Sequence, residues 1–133
     1  MSVLGKAKRV DKDWGYEIWM ANNEKENYCG KILYIKFGHS TSMHFHQKKH
    51  ETFYILEGAL DIEIIDTITT DKYVKTINEG EVFVLDRLIP HRLVPKGGDV
   101  KFVEISTFHE DSDSYRVYRE LPQQLSITRR NIY

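Results

Sequence analysis

Cysteine is nearly absent from this chain, proline is scarce, and no apolar run is long. With Cys29 as its single cysteine and three prolines in all, the chain can form no intrachain disulfide and must hold its fold by packing. That usage fits a reducing compartment. The opening stretch Met-Ser-Val-Leu-Gly-Lys-Ala-Lys-Arg lacks the apolar core of a secretory leader, and no later segment reaches bilayer length. A cytoplasmic protein without membrane contact is the expectation. An excess of one charge is missing as well: 19 Lys and Arg stand against 20 Asp and Glu, a net charge of −1. Nothing here marks a nucleic acid or an anionic surface as a partner. Internal repeats, low-complexity tracts and long-helix periodicity are also absent.

What remains is a run of short strands. The 133 residues, 41% of them hydrophobic, suffice for one domain with a real core. Strands are expected at Trp14 to Met20, Tyr28 to Phe37, Thr41 to His46, Glu51 to Glu57, Leu60 to Asp66, Tyr73 to Ile77, Glu81 to Leu85, His91 to Val94 and Val100 to Thr107. Turn residues such as Gly38, Gly58, Asn78-Glu79-Gly80 and Lys96-Gly97-Gly98-Asp99 separate them. Leu33, Ile35 and Phe37 share one face of the second strand, and Leu60 to Asp66 alternates with period two. This spacing predicts an all-β sandwich or barrel. Its core spans about residues 14–107, and residues 108–133 form a C-terminal extension with a helical turn over Tyr115 to Leu121.

Within that pattern lies Gly38-His-Ser-Thr-Ser-Met-His44-Phe-His46-Gln-Lys-Lys-His50-Glu51-Thr-Phe-Tyr-Ile-Leu-Glu57-Gly58. Residues i and i+2 of a strand face one way, so His44 and His46 aim two imidazoles at one spot. Glu51 opens the next strand and brings a carboxylate there. Its neighbour His50 is the rival, but adjacent strand residues point oppositely, and only one enters the site. His91, placed after Pro90, is the candidate third imidazole. Three imidazoles and a carboxylate suit one divalent transition metal: zinc, manganese, iron or nickel.

Gly-x5-His-x-His-x4-Glu-x6-Gly, from Gly38 to Gly58, resembles the first signature of the cupin superfamily. Gly80 to His91 resembles the second, with its ending compressed to Pro90-His91. The resemblance implies a small β-barrel, a jelly roll of two packed sheets, with a metal in its mouth. Trp14-Gly15-Tyr16-Glu17, His50 to Gly58, Arg92-Leu93, and Glu104 to Thr107 followed by Asp113 and Arg116 are similar to the cupin module of type II mannose-6-phosphate isomerases. Those modules interconvert aldose and ketose phosphates. They commonly carry glutamine where this chain has His44, which leaves the reaction open.

The resemblance implies a metal-dependent isomerase or epimerase of a sugar phosphate or nucleotide sugar. The alternatives are an Fe(II) dioxygenase on the same ligands and a non-catalytic sugar-binding or regulatory module. The general base has no assignment. Lys31, Lys36, Lys49, Arg87, Arg92 and Arg116 are candidates to hold a phosphate or carboxylate, with Lys31, Arg87 and Arg116 foremost. Phe53 shares the parity of Glu51 and should meet substrate in the lumen. His39 and His109 are expected in ordinary loops, and Glu110, Asp111 and Asp113 in a solvated turn. A homodimer is expected, formed when edge strands, the N-terminal segment or the polar tail pair across subunits.

Overall fold

A computed structural model describes residues 2–118. Eleven strands run in chain order: β1 Lys8–Lys12, β2 Gly15–Asn23, β3 Tyr28–Ile35, β4 Met43–His46, β5 Glu51–Glu57, β6 Leu60–Ile65, β7 Lys72–Ile77, β8 Val82–Leu85, β9 His91–Pro95, β10 Val100–Ser106 and β11 Ser114–Tyr118. They form two antiparallel sheets, ordered β1-β2-β3-β10-β5-β8 and β11-β4-β9-β6-β7. The fold is the all-β jelly roll expected. Among the described residues no helix is long and apolar enough to cross a membrane.

The sequence period decides which side chains face inward. Along β3 the buried residues are Cys29, Lys31, Leu33 and Ile35, while the residues between them keep some exposure. Along β10 they are Val100, Phe102, Glu104 and Ser106. Register joins these alternations: Phe102 lies opposite Leu33 and Ile55, Glu104 opposite Lys31 and Phe53, and Ser106 opposite Glu51. The interior is thereby split along its length. One end is an apolar plug around Ile35, Ile55, Leu60, Ile62, Val100 and Phe102. Burying each such side chain stabilises the fold by about 1.5–3 kcal/mol. The other end, on the same strands, is ionic: Lys31, Glu51, Glu104, His46 and His91 are all buried there.

Several expectations need correction. A strand, β1, precedes the one expected to come first, and it pairs with β2 through all five of its residues, from Lys8 to Lys12. The segment expected to turn at Tyr115 instead pairs with β4, with Tyr115 opposite Phe45 and Arg116 opposite His44. A free edge of hydrogen-bonding groups on β4 outweighs local helical preference. The helical geometry present is a short 3-10 turn, Asp111–Asp113. Residues 119–121 of the expected turn lie outside the described residues. Phe37 is 59% exposed because β3 ends at Ile35 and the chain turns before Phe37 can enter the core.

Gly58 ends β5 with φ +83°, and a Cβ there would lie 2.4 Å from the Asp99 carbonyl oxygen. Both the backbone conformation and the close approach exclude a side chain. Gly58→Ala is expected to cost about 2–3 kcal/mol, read as a lower urea midpoint with an unchanged slope.

Candidate metal centre

β4 and β9 lie side by side with His44 opposite His91. His46, two residues on, points the same way. The ligand nitrogens of His44, His46 and His91 lie within 4.8 Å of one another. Their tautomers follow from the other ring nitrogen. His44 Nδ1 donates to the Ser42 carbonyl at 2.8 Å, His46 Nδ1 to the Asp113 carbonyl at 3.1 Å, and His91 Nδ1 to the Ile89 carbonyl at 2.9 Å. A carbonyl oxygen only accepts, so each Nδ1 carries the proton and each Nε2 presents a lone pair. Three lone pairs therefore converge on one point, with each ring oriented by a backbone acceptor. That is the donor set a divalent ion requires.

Burial reinforces this state. It holds the His44 and His91 imidazoles below their usual range, and it lowers His46 to about 3, helped by His44 and Lys49. All three are neutral at physiological pH and ready to ligate.

Glu51 borders the trio. Its Oε2 lies 3.7 Å from His46 Nε2 and 3.8 Å from His91 Nε2, and its Oε1 lies 3.7 Å from Lys49 Nζ. Burial first, then the charge of Glu104, pushes the Glu51 carboxyl well up. A divalent cation beside it would reverse that balance. His50 points away, towards Asp86 at 3.1 Å.

A cavity of about 240 Å³ opens over these groups. Its inner wall carries two buried lysines. Lys49 Nζ reaches Glu104 Oε2 at 2.5 Å and His109 Nδ1 at 3.0 Å. Ammonium only donates, so His109 accepts at Nδ1 and donates from Nε2 to Asp111 at 2.8 Å. Burial disfavours charge on Lys49 and Glu104 alike. Their mutual attraction outweighs it, holding the ammonium up and the carboxyl down, so the pair stays ionised. Lys31 Nζ lies 3.3 Å from Glu17 and 4.3 Å from the Trp19 ring centroid. Exposed Lys12, Asp111 and Arg116 frame the opening.

Of the substrate candidates, Lys31 and Arg116 line the cavity. Phe53 and Arg87 do not. Phe53 has the expected parity but sits one layer deeper, packed edge-on against Phe102 with centroids 5.5 Å apart. Arg87 is outside, its Nε donating to the Lys48 carbonyl at 2.7 Å. His109, expected in an ordinary loop, is a wall of the cavity. Asp113, expected in a solvated turn, is buried. Its carboxylate accepts backbone N–H groups from Gln47 at 3.0 Å, Lys48 at 3.1 Å and Lys49 at 3.1 Å, pinning the turn between His46 and Glu51. No local pattern marks the Asp113 carboxylate, because every backbone N–H it accepts from lies more than 60 residues away.

Asp113→Ala leaves the buried Lys49 N–H and the part-buried Gln47 and Lys48 N–H groups without their acceptor and frees the turn. The expected loss is about 2–3 kcal/mol of stability and roughly 10–100-fold in metal affinity. Thermal melts and isothermal metal titration of the same variant check both.

A cupin-domain family model matches residues 32–106, more than half of the chain. This chain belongs to the cupin family. No curated protein sequence matches the cupin significantly. Solved structures do match. CapF, the capsular polysaccharide assembling protein of Staphylococcus aureus, superposes with a TM-score of 0.72 at 17% identity over 86% of this chain and 34% of that one. Oxalate decarboxylase of Bacillus subtilis gives 0.72 at 16%, over 84% of this chain and 30% of that one. That of Lactobacillus farciminis gives 0.71 at 16%, over 88% and 37%. The cupin spans about a third of the length of these proteins, and at such identities the likeness is one of fold.

Proposed function

We propose that this cupin is a metal-dependent enzyme that isomerises or epimerises a small sugar carrying a phosphate or nucleotide group. His44, His46 and His91 would hold one divalent ion, with Glu51 as the fourth ligand. When bound, the ion supplies Lewis-acid polarisation of a sugar carbonyl and its neighbouring hydroxyl. The observation that carries the reading is the ionised Lys49–Glu104 pair on the cavity wall beside the histidines.

Moving a carbonyl along a sugar takes a proton from one carbon and returns it to the next. Glu104, held unprotonated by Lys49 and Lys31, is the base this requires. Lys49 would steady the charge that develops on the sugar oxygen, and the hydrogen-bonded His109–Asp111 arm keeps it in place. Glu51 is then spared the base's role. Lys31 and Arg116 would bind the substrate's anionic group, and the open mouth leaves a nucleotide room outside.

The test is turnover of a panel of aldose and ketose phosphates and nucleotide sugars by metal-loaded protein, followed by proton NMR in D2O. The expected result is chelator-sensitive isomerisation with loss of the carbon-bound proton to solvent. Glu104→Gln should lower kcat by roughly 10²–10⁴-fold while KM changes little. Oxygen uptake by the iron-loaded protein without sugar turnover would overturn the reading, as would tight sugar binding without turnover.

A further inference from the structure

Glu17 takes no part in the proton transfer at Glu104, yet it is a buried carboxylate on the same cavity wall. Strand period puts Glu17 and Trp19 on one face of β2, and β3 sets Lys31 directly opposite Trp19. Trp19 Nε1, at 2.7 Å, and Lys31 Nζ, at 3.3 Å, both donate to the same oxygen, Glu17 Oε1. Among the described residues nothing donates to Glu17 Oε2, although Glu17 is only 8% exposed. Lys31 is 2% exposed and spends one of its three N–H donors on Glu17. Its ammonium lies 4.3 Å from the Trp19 ring centroid, and among the described residues no second acceptor is within hydrogen-bond reach.

Buried polar atoms nearly always have partners, and leaving one unmet is costly. Here an unused acceptor and an unused donor stand side by side on a cavity wall, which is what a bound ligand group would complete. A hydroxyl uses both: its O–H donates to Glu17 Oε2 and its oxygen accepts from Lys31. A phosphate oxygen with no proton to give uses only the donor. Trp19 is not free to stack on a sugar ring, with Lys8 at 4.9 Å and Lys31 at 4.3 Å from its centroid and His109 against its edge at 5.2 Å. Its indole N–H instead occupies Glu17 Oε1 and leaves Oε2 as the oxygen for a ligand. In the sheet order β2-β3-β10-β5, three strand spacings, roughly 14 Å between backbones, separate Glu17 from Glu51. Glu17 therefore meets a substrate away from the carbons that sit at the histidines and Glu51.

We propose that Glu17 determines substrate specificity: with Lys31 it selects a sugar that carries a free hydroxyl on a carbon beyond the two that react. Trp19 acts through Glu17 as a positioning residue. The inference rests on the sugar reading of the cavity and adds to it the requirement for that hydroxyl. A site built to pair a hydroxyl rejects an analogue lacking it, because the analogue leaves buried polar groups unmet.

Isothermal titration of the zinc-loaded full chain tests this, with mannose 6-phosphate, fructose 6-phosphate and analogues in which each hydroxyl beyond the reacting carbons is replaced in turn by hydrogen. One such analogue should bind roughly 100-fold or more weakly than its parent. Glu17→Gln keeps the shape of the side chain but loses the charge-assisted acceptor, and its preference for the parent should fall to roughly 10-fold or less. Trp19→Phe leaves the Lys31–Glu17 ion pair in place and should give an intermediate preference. A merely structural role would weaken parent and analogue together and leave their ratio unchanged. The same ratio in all three proteins overturns the proposal, as does a wild type that binds parent and analogues alike; in both cases the sugar reading stands. Failure of both parents to bind also overturns it, and the sugar reading then falls only if no other sugar phosphate or nucleotide sugar is turned over.

Discussion

Alanine in place of His46 or His91 is expected to empty the metal site. Removing an outer partner of a metal-binding imidazole costs roughly 10–100-fold in affinity; removing the imidazole itself should exceed that. Each ring supplies one of three convergent lone pairs and is held by its own backbone acceptor, so no neighbour can take its place. The second readout is stability. An ion that binds the folded state alone, at 100 times its Kd, adds about 2.7 kcal/mol, on the order of 10 °C in Tm for a domain of this size. The wild type should show that rise on addition of zinc or manganese. Both alanine variants should melt at one temperature with and without the ion. If either variant still binds one ion per chain with the wild-type Kd, the trio is not the metal centre.

The histidine cluster was legible because strand geometry is periodic. His44-x-His46 fixes two side chains on one face whatever surrounds them, and the same rule sends His50 outward and Glu51 inward. Lys31 and Glu104 were legible in principle too, sharing parity with Leu33 and Phe102. A buried lysine reads as surface, however, until its partner across the sheet is known, and the Lys31–Glu104 pairing spans 73 positions of sequence. Parity says nothing of depth. Phe53 faces inward as expected but falls among the core residues, while Glu51, two residues earlier, reaches the cavity. The part played by Asp113 comes from β11 closing onto β4, and a short polar strand carries no hydrophobic period to announce it; His109 is set by its backbone bonds to Asn22, 87 residues earlier.

Acid should unfold the metal-free protein well above the range that protonation of ordinary carboxylates explains. His46 has a folded-state pKa of about 3 against an unfolded value of 6.5, and burial shifts His44 and His91 in the same direction. A depressed folded pKa gives stability that is complete above the unfolded value and is lost as pH falls towards the folded one. For His46 alone the whole swing is on the order of 5 kcal/mol. Glu51 opposes it. Its raised carboxyl costs stability at neutral pH and returns it as the group protonates. One carboxyl offsets one imidazole, leaving the other two to drive unfolding between pH 6.5 and about 4.5. Below that, Glu104 adds to the loss, because its depressed carboxyl must take up a proton and abandon Lys49. Urea midpoints of the metal-free protein should therefore drop steeply from pH 7 to 5, and His46→Ala should flatten the drop by its share. A midpoint constant across that range would mean that the imidazoles gain protons in the folded state as readily as in the unfolded chain, and that the centre is more open to water than its burial implies.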